Sequence, residues 1–388
     1  MNKNVRPLAG FIALAFAMLA CSSSFEVMGT PLPPAEQGDT PVLVTTVPAE
    51  ILPHTFYYLG IDNSTGLSQV FRVERDGKTQ TQLTNELVDV LDYDVSLADG
   101  HIVYEVDNQL ILVNANGSDR LVIDGGRYPV FSPDGKTIAY SSNGITLYDI
   151  STSVSTLALE DQLLEGPAFY GLETYAPEKY SPDGTKLIIH LMHSDTSTIA
   201  IYYPANNSMV QLNCAEDNYI CSDGAGAWFD SDYEWSADSS GFYAAVPTAT
   251  STYAGESLLR VDATTGAVTT FAPAGNGMIE RHKELCLAPN GELYFFFGTY
   301  DVNSGLFDAP TLNPVRSESD DMTDPAILMN ENFVLMKEAL WSSDASFVIV
   351  TYAPMQDVYE GGQAEIVYLD GKPNIVLTTF AQQMKWGP

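Results

Sequence analysis

Chemistry in a folded chain needs nucleophiles, general bases or metal ligands, and this 388-residue sequence holds few in suggestive patterns. Its five histidines are His54, His101, His190, His193 and His282. His190 and His193 stand three apart in an apolar, strand-like run, a spacing that turns their side chains to opposite faces and does not suit a shared metal. No Gly-x-Ser-x-Gly elbow, phosphate-binding loop, dinucleotide fingerprint or Cys-x-x-Cys pair occurs. Two acidic clusters, Asp230-Ser231-Asp232-Tyr233-Glu234 and Glu318-Ser319-Asp320-Asp321 with Asp324, offer the oxygen ligands that Ca²⁺ takes. Neither has the spacing of a defined calcium loop, and Asp301-x-Asn303-x-Gly305 also misses the register. With 50 Asp and Glu against 17 Lys and Arg, such clusters read as solvated surface, and neither a metal nor another cofactor is expected. The net charge of −33 argues against nucleic acid and anionic lipid surfaces, which both require clustered bases.

The framework that positions these residues is a repeat. Ser132-Pro133-Asp134-Gly135 precedes the apolar run Ile138-Ala139-Tyr140, and Ser181-Pro182-Asp183-Gly184 precedes Leu187-Ile188-Ile189. Weaker copies are Leu97-Ala98-Asp99-Gly100, Ser236-Ala237-Asp238-Ser239, Ala288-Pro289-Asn290-Gly291 and Ser342-Ser343-Asp344-Ala345. Counted from the Asp or Asn, successive copies are 35, 49, 55, 52 and 54 residues apart. In the two full copies Pro presets φ, Asp bonds local backbone and Gly takes the positive φ. Phe131, Tyr180, Trp235 and Trp341 stand just before the turn, facing a core. Third strands with tight turns follow, as at Asn116-Gly117, Thr265-Gly266 and Asp370-Gly371. Four strands per unit describe a propeller blade.

The Ser-Pro-Asp-Gly turn, with a later Asp-Gly turn and a Leu-Thr ending, resembles the TolB-type, WD-like propeller repeat. Phe71-Arg72-Val73-Glu74-Arg75-Asp76-Gly77, continuing to Leu83-Thr84, is similar to the third and fourth strands of such a repeat. Its first strand is missing locally and is expected at the other end of the chain, with Trp386 in the slot of Trp341. The fold expected is all-β: a propeller of seven four-stranded blades, closed by pairing of the N- and C-terminal strands, with six or eight as neighbouring counts. The resemblance also implies an alternative function. Some related propellers are polysaccharide lyases or glycoside hydrolases that work at the central channel.

The N-terminus supplies an address. Lys3 and Arg6 precede a charge-free apolar run from Leu8 to Ala20, too short for a comfortable bilayer span and suited to a signal peptide. Met18-Leu19-Ala20-Cys21 resembles the bacterial lipobox, with Met18 where Leu is usual. That resemblance implies a chain acylated at Cys21, exported to the cell envelope and held on a membrane facing the periplasm, with Ser22 favouring the outer membrane. Loss of Lys3 and Arg6 takes the charge from −33 to −35. The domains expected are a signal peptide over 1–20, a Pro-rich tether over 21–53 and the propeller over 54–388. In an exported chain Cys214 and Cys221 are expected as a disulfide, and Cys286, between Leu285 and Leu287, as a buried thiol.

The reading of function is a monomeric, non-enzymatic binding or scaffolding module for a protein, peptide or glycan. Its expected face is that of the inter-blade connections. Long insertions at 161–177, 213–234 and 299–338 carry Phe169, Tyr170, Tyr175, Trp228, Asp230, Asp232 and Tyr233 as contact candidates. Cys21→Ser is expected to block cleavage of the leader and lipid attachment. Metabolic labelling with a fatty acid checks this, and absence of label from the wild type would remove the anchor.

Overall fold

The computed structural model describes residues 50–165, 170–193, 196–212, 232–247, 256–272, 278–301, 312–318, 321–331, 333, 336–353 and 361–388. Cys21 and most of the tether, Phe169, Cys214, Cys221, Trp228 and Asp230 lie outside the described residues. Within them run twenty-eight strands and no helix. Blade 1 contains β1 (Phe56–Ile61), β2 (Ser68–Val73) and β3 (Gln80–Gln82). Blade 2 contains β4 (Asp92–Val95), β5 (Ile102–Val106), β6 (Gln109–Val113) and β7 (Leu121–Gly125). Blade 3 contains β8 (Arg127–Phe131), β9 (Thr137–Ser141), β10 (Gly144–Asp149) and β11 (Val154–Glu160). Blade 4 has an extra strand, β12 (Gln162–Glu165), ahead of β13 (Tyr170–Tyr180), β14 (Leu187–His193), β15 (Thr196–Tyr203) and β16 (Ser208–Gln211). Blade 5 contains β17 (Asp232–Trp235), β18 (Gly241–Pro247), β19 (Glu256–Asp262) and β20 (Val268–Ala272). Blade 6 contains β21 (Met278–Leu287), β22 (Glu292–Asp301), β23 (Asn313–Glu318) and β24 (Asp321–Ile327). Blade 7 contains β25 (Met336–Trp341), β26 (Phe347–Tyr352), β27 (Gly362–Tyr368) and the first half of β28 (Ile375–Trp386).

One strand serves two blades. The first half of β28 pairs with β27, from Ile366↔Ile375 to Gly362↔Ala381. Its second half pairs with β1, with Leu59 opposite Gln382 and Phe56 opposite Trp386. Blade 1 thus takes its innermost strand from the end of the chain, and the ring has seven blades. The Trp386 indole donates to the Trp341 carbonyl at 2.7 Å and packs edge-on to Phe56 and Phe347.

The turns between first and second strands form as their composition dictates. Ser132 Oγ donates to Asp134 Oδ1 at 2.7 Å and accepts from the Thr137 amide at 3.0 Å, while the Ser132 amide donates to the Thr137 carbonyl. The same bonds recur at Ser181, Ser236 and Ser342. Gly135 sits at φ +68° and packs against Ser96 and Ala98 of the preceding blade, so a side chain there meets strain and a neighbour together. Apolar residues between the sheets make the core. Ile188, Ile199 and Ile201 of blade 4 pack on Trp235, Phe242 and Val261 of blade 5, and Tyr57, Leu59 and Val70 of blade 1 pack on Tyr93, Ile102 and Tyr104 of blade 2.

One local expectation is corrected. Residues 161–177 are not a loop, because β12 and β13 occupy most of them as a hairpin. Pro177 is accommodated inside β13 by a register shift between Pro177 and Lys179, which spares the ladder the missing N–H. The stretch 299–338 likewise contains β23, β24 and the start of β25.

Deletion of residues 382–388 removes the inner strand of blade 1 together with the half-buried Trp386. Trp truncation in a core costs about 3–5 kcal/mol, so calorimetry is expected to show a melting temperature lower by several degrees. An unchanged value would contradict the closure.

Candidate functional site

The innermost strand of each blade touches that of the next, from the second half of β28 through β4, β8, β13, β17, β21 and β25 back to β28, and together they wall a central channel. Two places before the residue that opens each first turn, blades 1 to 7 carry Lys385, Asp94, Val130, Lys179, Glu234, Cys286 and Leu340 in equivalent register. Charges in this layer occur as two pairs across blade boundaries. Lys385 Nζ lies 3.1 Å from Asp94 Oδ1, and Lys179 Nζ lies 2.8 Å from Glu234 Oε2 and from the Tyr233 carbonyl. The Lys179 and Lys385 side chains keep 45% and 33% of their surface accessible toward the ring's centre.

A second layer, nearer the inter-blade connections, is rich in carboxylates, and these hold backbone. Asp232 Oδ2 accepts from the Glu284 amide at 2.7 Å. Glu284 in turn accepts from the Ala339 amide, and Glu338 from the Met384 and Gln383 amides of the closing strand. In the layer of the lysine–acid pairs Asp94 Oδ2 also accepts from the Phe131 amide at 2.7 Å, and Asp161 accepts from the Tyr175 amide at 3.0 Å. Indoles add further ties between blades: Trp235 donates to the Lys179 carbonyl and Trp341 to the Glu284 carbonyl. Positive φ at Tyr128, Glu284 and Gln383 marks where inner strands bend to meet these acceptors.

Enclosure sets the protonation of this layer. Burial pushes Asp92 up to about 6, opposed by Lys385, and Glu338 up to about 7, opposed by its backbone donors. Burial also raises Asp232, against the pull of Lys283 and Lys179. Glu284 is raised further by burial and by the charges of Asp232 and Glu338. For Lys385 and Lys179 burial acts downward, but Asp94 and Glu234 respectively outweigh it and both ammoniums are held charged. Near neutrality the channel therefore combines lysines, carboxylates and protonated carboxyls that can donate. Burial pushes the Cys286 thiol up to about 12 and pulls His282 down to about 4, which leaves neither poised for thiolate or imidazolium chemistry.

Of the seven residues expected at a binding face, the described Tyr175, Asp232 and Tyr233 lie elsewhere. Tyr175 is buried in β13, its hydroxyl donating to Glu173 at 2.7 Å. Tyr233 is also buried, edge-on to Phe242 and His190, because alternation along β17 sends Tyr233 and Trp235 into the core between blades. The same alternation sends Asp232 and Glu234 to the channel wall, so they are not solvated outer surface. Tyr170 opens β13. One pair was missed: Glu178 Oε2 lies 3.1 Å from His190 Nε2, joining β13 to β14 beside the channel. No sequence spacing signals it, since register places the partners together. Among the described residues no group of three or more His, Cys, Asp or Glu is arranged to hold a metal.

No protein-family model and no curated protein matches the sequence. Solved structures do. The chain is similar to a puromycin-hydrolysing peptidase of Mycobacterium tuberculosis, with TM-score 0.55 and 12% identity over 85% of this chain and 52% of that one. It is similar to a chain from a study of two prolyl endopeptidases, with TM-score 0.54 and 13% identity over 86% of this chain and 49% of that one. It thus spans about half the length of these peptidases. A putative 6-phosphogluconolactonase of Bacteroides fragilis matches with TM-score 0.51 and 12% identity, over 86% of this chain and 98% of that one. A TolB of Acinetobacter baumannii matches at TM-score 0.44 and 15% identity over 83% of this chain and 79% of that one, too distant to carry an argument. What these likenesses show is the fold. The chain is a β-propeller.

The channel carboxylates give stability a pH signature. An unfolded carboxyl titrates near 4, so between about pH 4 and 7 the folded ring keeps protons on Asp92 and Glu338 that the unfolded chain has lost. That contribution drains as pH rises through 6 to 7. The turn carboxylates Asp183 and Asp238, lowered in the fold, act oppositely and lose theirs as pH falls below about 4. Melting temperature is expected to peak in weak acid. In about 0.5 M salt, where surface repulsion is screened, Glu338→Gln is expected to flatten the alkaline limb. A limb as steep in the variant as in the wild type would contradict the assignment.

Proposed function

We propose that this chain is a non-enzymatic binding or scaffolding module, exported and lipid-anchored at Cys21, that presents the connection face of its propeller to a protein, peptide or glycan. One observation carries the reading. Where adjacent inner strands enter the ring, large apolar side chains stand in solvent: Leu87 is 93% exposed, Leu91 54% and Tyr128 40%. Apolar groups collected at one rim, on a rigid scaffold, are the usual mark of an interaction surface. The opposite face carries short, Asp-capped turns, with Leu97 59% exposed in one of them. The channel charges, by contrast, are engaged in holding neighbouring blades. Export and anchoring are supported by the charge-free run ending at Cys21.

A second reading, a lyase or glycoside hydrolase acting at the channel, draws on the Glu178–His190 pair and on the protonated carboxyls. His190 is only 3% exposed, so a saccharide meets Glu178 before it meets the imidazole.

A benzophenone amino acid at Leu91 is expected to cross-link a discrete partner in cells, and the same probe at Val154 on the outer strand β11 is not. Absence of an adduct from Leu91 in a folded protein would remove the binding reading. Turnover of an acidic oligosaccharide that disappears in Glu178→Gln would install the second.

A further inference from the structure

Strand edges in this ring are managed in two ways. Inner edges receive carboxylates from the neighbouring blade. The outer strands β7, β11, β20, β24 and the first half of β28 are interrupted by register shifts, which bend an edge away from a would-be partner, while β3 is only three residues long and β16, though regular, has its Gln211 carbonyl against Gly266 of blade 5.

β12 escapes both treatments. Its pairing with β13 is regular throughout, Gln162↔Glu173 to Glu165↔Tyr170. Residues 170–172 of β13 run past the end of β14, whose pairing reaches only Glu173, so the two-stranded arm stands clear of the blade on the connection side. Among the described residues β12 has no second neighbour. It contains neither Pro nor Lys, the residues that commonly protect an edge. Leu163 and Leu172 face each other across the hairpin and are 58% and 53% exposed, an exposed apolar cross-strand pair. The arm is mostly acidic in sequence: Glu160 and Asp161 lead into it and Glu165 and Glu173 lie in it, while His193 of β14 stands opposite Glu173.

We infer that the free edge of β12 accepts an extended, basic segment of a protein partner as an added antiparallel strand, with the partner's apolar side chains on Leu163 and Leu172. Main-chain hydrogen bonds supply affinity in this mode, and alternate side chains supply choice. The acidic stretch selects lysine or arginine at the alternate positions and opposes pairing with a second, equally acidic copy of this chain. The inference rests on the binding-module reading and names the chemistry of its partner.

The probe is a short labelled peptide of alternating lysine and valine, followed by fluorescence anisotropy and hydrogen exchange on the full chain. It is expected to bind and to slow exchange of the Gln162–Glu165 amides. Methylation of alternate peptide nitrogens, which removes strand donors but keeps charge, is expected to weaken binding at least about tenfold, as is the pair Leu163→Ser and Leu172→Ser in a protein of unchanged melting temperature. A glutamate–valine peptide is expected not to bind. Equal binding of the methylated peptide, protection at another edge, no binding at all, or dimerisation through β12 would each overturn the proposal. Hydrogen exchange on the wild type decides the matter if the double variant misfolds. The Leu91 cross-link does not involve β12, so the binding reading stands or falls separately.

Discussion

Among the described residues the innermost strand of each blade except β13, which also pairs with β12, has one edge in the ladder and one that looks into the channel, where its amides have no strand to donate to. The structure answers with carboxylates reached across the blade boundary: Asp94 to Phe131, Asp232 to Glu284, Glu284 to Ala339, Glu338 to Met384. These bonds do two jobs. They satisfy buried donors, and they set the angle at which one sheet meets the next, since a short side chain from one inner strand must reach a particular amide of its neighbour. Crowding acids at the axis raises their affinity for protons, and the two lysine–acid pairs in the adjoining layer temper that repulsion.

How much of this was legible in the residues depended on range. The turns are local devices, five or six residues long, and Ser132-Pro133-Asp134-Gly135 states its geometry outright. Ring closure was legible too, because Lys385-Trp386 occupies the slot of Leu340-Trp341 and an incomplete first unit demands a donor. The carboxylate ties were not. Asp92-Tyr93-Asp94 and Asp232-Tyr233-Glu234 share one alternation, yet in so acidic a chain each reads as ordinary surface. Aligned on the residue that opens the following turn, they fall two and four places before it, and there the periodicity of a strand assigns Tyr to the core and acid to the axis. The β12–β13 hairpin was hidden for a different reason. Gly166, Pro167 and Pro177 signal a loop, and only the register shift beside Pro177 shows how β13 continues through it.

The two faces of the ring carry different constraints. On the turn face, Ser and Asp fix each hairpin to one length, which leaves little room for variation. On the connection face, chain segments travel between blades without a shared motif, and it is there that Leu87, Leu91 and Tyr128 stand exposed. The fold separates a face built for regularity from one free to diverge, consistent with peptidases and a lactonase sharing the same ring.

The double duty of β28 also governs the order in which the molecule is made. Thr55 and Pro388 are bonded across 333 positions of sequence, so the first blade to leave the ribosome is the last to be completed. Until the final residues arrive, β1 lacks its inner neighbour and the ring is an open arc. Contacts of such long range close slowly because the intervening chain must first be ordered. In a chain with this topology blade 1 stays open until residues 382–386 reach it, so the N-terminal blade depends for its completion on the most distant part of the ring.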